Sequence, residues 1–130
     1  PEKQPALFRE QYDLALPPPP PGARWELMFD TPRAEFVRAV ALAEVSADGV
    51  ARPRAEATIY RLRESEVTRT AVVVPEIDGP RLRVTLEGAD GAFLEPRLRL
   101  RATTLFDRGE RAVLPLEILS RRRENGTTIV

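Results

Sequence analysis

The stretch Asp30–Gly49, "DTPRAEFVRAVALAEVSADG", decides the fold class, because it supports two incompatible readings. Thr31 suits a helix N-cap, Pro32 a first helical position, and the alanines that follow favour a helix ending near Gly49. Against this, Val37, Ala39, Ala41, Ala43 and Val45 share one strand parity. Phe36, Val40 and Leu42 share the other, as in a strand buried on both faces. Within the segment itself both readings stay open.

Outside it, period two dominates. In Phe8–Leu16, Phe8, Tyr12, Leu14 and Leu16 oppose Arg9, Gln11 and Asp13; in Arg24–Phe29, Trp25, Leu27 and Phe29 oppose Arg24, Glu26 and Met28. Val67–Ile77 carries a β-branched run. In Pro80–Gly88, Leu82, Val84 and Leu86 oppose Arg81, Arg83 and Thr85, and in Pro96–Phe106, Leu98 and Leu100 oppose Arg97, Arg99 and Arg101. Arg111–Leu119 offers Leu114, Leu116 and Ile118 on one face, with Pro115 arguing for a sheet edge because it has no N–H to donate. Asp48-Gly49, Asp78-Gly79, Asp90-Gly91, Gly109 and Asn125-Gly126 punctuate these runs as turns with left-handed positions. About eight short strands with such punctuation predict an all-β sandwich or barrel.

Before Trp25 stands an unbroken proline run, Pro17–Pro21. A linker has no reason to keep the apolar parity that Phe8–Leu16 shows. The run therefore reads as a stiff polyproline II bridge, roughly 15 Å long at about 3.1 Å per residue. The expected organisation is a single domain over residues 1–130. Residues 1–16 hold the first strand, 17–22 the bridge, 24–119 the main sandwich and 120–130 a C-terminal loop and strand or tail.

At 130 residues, with 42% hydrophobic and 31% charged residues, the chain suits one domain with a buried core and a solvated surface. Twenty basic and twenty acidic residues cancel, so no global field draws the chain to nucleic acid or an anionic membrane. There is no Cys and no His. Disulfides, thiolate nucleophiles, Cys/His zinc sites and Ser-His-Asp triads are thereby excluded within the chain. No apolar run approaches the length of a membrane-spanning helix, so direct membrane insertion is not expected. The opening Pro1 suggests a piece of a longer protein, with any targeting signal outside it.

From Arg24 to Thr104 the order of signals resembles the galactose-binding-like, discoidin-type jelly roll. "WELMFD" ending at Asp30 looks like that family's aromatic-led strand, "FVRAVALAEV" like the next strand, and Ser46-Ala47-Asp48-Gly49 like its S-x-DG turn. "PRLRVTLEG" is similar to the family's arginine-bearing strand and "PRLRLRAT" to its final one. The sequence departs from the pattern after the turn, where "VARPRAEATIY" stands in place of an early Trp. The resemblance implies a jelly-roll β-sandwich and tips residues 35–45 toward a strand. It further implies a non-catalytic binding module of a larger bacterial envelope-associated protein, outside the cytoplasm, with loops at one end of the sandwich contacting a glycan or protein.

Candidate binding residues follow. Arg81 and Arg83, and Arg97, Arg99 and Arg101, project from single strand faces; were the two strands neighbours, five guanidinium groups would line an anion-binding surface. The plainer expectation is cross-strand pairing with carboxylates. Trp25 alternates in phase with Leu27 and Phe29, which makes it core, leaving Tyr60 and the loop residue Phe93 as aromatic candidates for a ligand face, with Phe93 either contacting a partner or tucking under the sandwich end. Asp30, Asp48, Asp78, Asp90 and Asp107 fall at strand ends or turns, where structural Ca²⁺ is the ion such ligands would hold. No D-x-D-x-D loop occurs, so no metal or cofactor is expected. Carboxylate pairs such as Glu64/Glu66 and Glu87/Glu95 show no nucleophile-plus-base arrangement, and no enzyme activity is expected. Asn125-Gly126-Thr127 reads as a turn rather than a glycosylation site, and Ser120–Glu124 as a solvated basic loop without the aromatics of a nucleic-acid site. The alternative function is a structural or assembly domain, suggested by Val113 and Leu119 on the face opposite Leu114, Leu116 and Ile118.

Overall fold

The computed structural model describes residues 7–64, 66–89, 92–104 and 113–126. The described residues form β-strands and no helix: β1 (Leu7–Ala15), β2 (Ala23–Asp30), β3 (Phe36–Val45), β4 (Ala51–Leu62), β5 (Val67–Arg69), β6 (Ala71–Val73), β7 (Arg81–Gly88), β8 (Arg97–Thr104), β9 (Val113–Pro115) and β10 (Glu117–Gly126). They build two sheets, one of six strands in the order β10-β1-β7-β3-β4-β5 and one of four in the order β6-β2-β8-β9. Every pairing is antiparallel. The architecture is a β-sandwich.

The contested segment resolves as β3, hydrogen-bonded to β4 on one side and β7 on the other. Alanine propensity loses because a helix would deprive β4 and β7 each of one hydrogen-bonding neighbour and would not keep Phe36, Val40 and Leu42 on one buried face. The expectation of burial on both faces is corrected: Val37, Ala39 and Ala41 point outward and are exposed.

Between the sheets lies one apolar core. The six-stranded sheet contributes Tyr12, Leu14, Phe36, Val40, Leu42, Ile59, Leu82, Val84 and Leu86, and the four-stranded sheet Trp25, Leu27, Phe29, Val72, Leu98 and Leu100. Apart from Ile59 and Val72, these are residues whose apolar parity the sequence shows. Burying each large aliphatic side chain stabilises the fold by about 1.5–3 kcal/mol before chain entropy is counted.

Two runs that read as single strands are broken where the chain changes sheets. Val67–Val73 splits at Thr70 into β5, on the six-stranded sheet, and β6, on the four-stranded one, with the Thr70 carbonyl accepting Phe29 N–H at 2.8 Å. The run read over Arg111–Leu119 splits, within its described part, after Pro115 into β9 and β10, again in different sheets, so Leu114 and Ile118 do not share one strand face. Pro115 does sit at an edge, since β9 closes the four-stranded sheet. Ser120–Glu124, expected as a loop, is strand: it lies within β10 and pairs with β1 over Arg9–Asp13. With these sheet changes and the short β5, β6 and β9, the described residues hold ten strands where about eight were expected.

The turn Ser46–Val50 closes as its Asp-Gly pair suggested, with Gly49 at φ 84° and Ser46 N–H donating to Val50 O at 2.9 Å. Gly79 is not at positive φ, so Asp78-Gly79 is a bend held in another way. Asp90-Gly91, Asp107, Gly109 and Thr127 lie outside the described residues.

Candidate functional site at the proline end

Pro17–Pro21 link β1 in the six-stranded sheet to β2 in the four-stranded sheet, crossing one end of the sandwich. Three bonds fix this bridge. Leu16 N–H donates to the Pro80 carbonyl at 2.6 Å, Trp25 Nε1 to the Pro17 carbonyl at 2.6 Å, and Ala23 N–H to the Pro20 carbonyl at 2.9 Å. Gly22, at φ 76°, makes the left-handed turn that returns the chain into β2. Trp25 is thus a core residue whose ring is buried and whose polar edge is used to seat the prolines.

Opposite the bridge runs the connection from β6 to β7, residues 74–80. Its course is set by Glu44, which shares the inward parity of Phe36, Val40 and Leu42 on β3 and is 8% exposed. One Glu44 oxygen accepts Arg54 Nε at 3.0 Å and Nη2 at 2.5 Å; the other accepts Asp78 N–H at 2.9 Å and Gly79 N–H at 2.8 Å. The Arg54 hydrogen bonds, followed by the Gly79 N–H, hold the Glu44 carboxyl below its ordinary range.

Bridge and connection enclose a hollow of about 550 Å³. Pro17, Pro18 and Pro19 form one wall and Pro75, Ile77 and Pro80 the other, with Leu16, Trp25 and Val74 beneath. Arg24, Glu76 and Asp78 supply its charged groups. A rigid, mostly apolar concavity with a few polar groups is the general form of a ligand seat. A second, shallower hollow of about 460 Å³ lies on the outer face of the six-stranded sheet, over Ala39, Ala41, Thr58 and Thr85, with Glu56 and Glu87 beside it.

The far end of the sandwich carries a parallel device. Glu10, wholly buried on the inward face of β1, accepts Leu94 N–H at 2.8 Å, Glu95 N–H at 2.7 Å and the Tyr12 hydroxyl at 2.8 Å. Arg38, wholly buried on the inward face of β3, donates to the Ala92 carbonyl at 2.5 Å and the Val37 carbonyl at 2.8 Å. These two charges hold the segment 92–95, which includes Glu95 at φ 50°. Phe93 tucks edge-on against Phe8, ring centroids 5.1 Å apart, rather than standing clear as a platform.

The arginine ladders do not merge, because β7 and β8 belong to different sheets. Arg83 pairs with Asp13 at 2.8 Å, Arg99 with Asp30 at 2.5 Å, and Arg101 with Glu26. Arg81 and Arg97 are exposed. Tyr60 lies half-buried on β4 opposite Val37 and Arg69, away from the hollow. None of the seven residues singled out from the sequence, Tyr60, Arg81, Arg83, Phe93, Arg97, Arg99 and Arg101, lines the proline-walled hollow.

Sequence reasoning missed Glu10, Arg38 and Glu44, although a signal was present: each is a charge at a position of inward parity. Among the described residues no group of three or more carboxylates is placed to hold a metal ion. Comparison with protein-family models, with curated proteins and with solved structures finds no match to this chain.

Proposed function

We propose that this chain is a non-catalytic binding module of a larger envelope-associated bacterial protein, acting outside the cytoplasm, and that its ligand seats in the proline-walled hollow. The observation that carries this reading is the hollow itself: a cavity of about 550 Å³, walled largely by prolines and fixed by partly buried hydrogen bonds. Rigid walls keep the entropy lost on binding low. A position between loops at one end of the sandwich also fits the galactose-binding-like, jelly-roll resemblance of Arg24–Thr104. With no His or Cys in the chain, the reading assigns it no reaction and no cofactor. Its partner is a glycan or a protein, not a nucleic acid.

A glycan array and a pull-down from the parent organism's envelope fraction test this, run with the native chain and with Pro18→Trp, which fills the hollow from an exposed position. Retention of one ligand by the native chain and its loss in the variant is the expected result. Silence in both assays, or equal retention by the variant, overturns the reading.

One observation favours a second reading, a structural domain that self-associates. Leu119 is 46% exposed on β10, an edge strand of the six-stranded sheet. Sedimentation across a concentration series checks it: association abolished by Leu119→Ser supports it, and a monomer at every concentration removes it.

A further inference from the structure

The hollow's own hydrogen-bonding groups narrow its ligand, an argument that rests on the binding-module reading above. Five of its lining residues are prolines, which carry a carbonyl but no N–H. The backbone donors nearby are largely committed: Leu16 N–H to Pro80, Ala23 N–H to Pro20, Val74 N–H to Trp25, and the Asp78 and Gly79 N–H groups to Glu44. The Trp25 indole N–H is taken by Pro17. Among the described residues, no donor reaches the Pro18 or Pro19 carbonyl, and no cation pairs with Glu76 or Asp78. Acceptors therefore outnumber donors, with two carboxylates against the single guanidinium of Arg24.

We propose that the hollow takes a lysine or arginine side chain presented by a partner protein. Such a side chain has an apolar stem that packs on Pro17, Pro75 and Ile77, and a head that only donates. The head meets the Glu76 and Asp78 carboxylates and the free proline carbonyls at the mouth. An anionic ligand meets the wrong charge. A neutral sugar lacks its usual stacking face, because Trp25 is only 4% exposed.

The test is a titration of the isotope-labelled chain followed by amide chemical shifts at Gly22, Ala23, Glu76 and Ile77. Three probes are compared: a blocked leucyl-lysine amide, its norleucine counterpart, and a panel of neutral and acidic oligosaccharides. Shifts with the lysine probe that weaken as salt rises are expected, with little response to norleucine. Combining Glu76→Gln with Asp78→Asn should weaken binding roughly fivefold, the scale of two partly exposed charge pairs, and Arg24→Gln should tighten it. Equal binding of the norleucine probe, or indifference to all three substitutions, overturns the assignment of a cation. Saccharide shifts without lysine shifts also overturn it but leave the binding module standing. No shift with any probe removes both.

Discussion

Gly88 shows how one atom conditions a buried charge. It closes β7 beside Arg38, and a Cβ there would lie 2.7 Å from Arg38 Cδ and 2.8 Å from the Val37 carbonyl oxygen, a backbone atom that cannot step aside. The guanidinium that holds Ala92 fits only because position 88 has no side chain. Gly88→Ala is therefore expected to destabilise the fold by about 1–3 kcal/mol, the range for overpacking, read from the denaturant midpoint. A variant as stable as the native chain would show that Arg38 has room to move. Trp25 offers a milder case, since Trp25→Phe keeps most of the buried ring but removes the donor to Pro17. Loss of about 0.5–1.5 kcal/mol is expected, together with faster amide exchange at Ala23. Neither Gly88 nor the Trp25 bond stands out in the sequence. Parity places Trp25 inside but says nothing of where its N–H points.

At the scale of elements, β1 is interior, flanked by β10 and β7, and buries Tyr12, Leu14 and Glu10. Deleting residues 1–16 would strip β10 of its only neighbour among the described residues, open one side of β7 and leave the Leu94 and Glu95 N–H groups without the Glu10 acceptor. Loss of the cooperative thermal transition is expected; an unchanged melting temperature would return Pro17–Pro21 to the status of a linker. Alternation revealed most strands because each has one face on the core, but over β3 it left helix and strand both open, and the family resemblance tipped that segment toward strand. It could not reveal the breaks at Thr70, inside a β-branched run, and at Pro115, inside an apolar one, where the hydrogen-bonding partner changes sheet. Nor could it place Ser120–Glu124 in a strand, because β10 is an edge whose Arg121, Arg122 and Arg123 are exposed. Charges on such an edge discourage further strand pairing. One of them has a second use, as the Arg121 guanidinium lies 5.7 Å from the centre of the Tyr12 ring.

Across the whole molecule, pH should act through two paired carboxylates and one buried phenol. Asp13 is held below the ordinary carboxylate range by its hydrogen bonds to Arg83, and Glu44 by those to Arg54. A lowered pKa in the folded state means stability that is complete above the unfolded value, about 4, and lost as pH falls through the folded one. Tyr12 has the opposite sense. Burial first, then its bond to Glu10, raise its phenol, so its contribution is complete below about 10 and is lost as pH rises beyond that value. Denaturant midpoints should form a plateau near neutrality, with an acid fall softened by Asp13→Asn and an alkaline fall softened by Tyr12→Phe. Slopes indifferent to both substitutions would remove these groups as the cause. By itself the sequence determined the all-β class, the apolar core and the absence of imidazole and thiol chemistry, because period two and composition are local properties. Only the tertiary structure decided which strands share a sheet, which charges turn inward to grip loops, and that a run of prolines walls a cavity. Those features depend on groups far apart in the chain meeting in space, and no local pattern records the meeting.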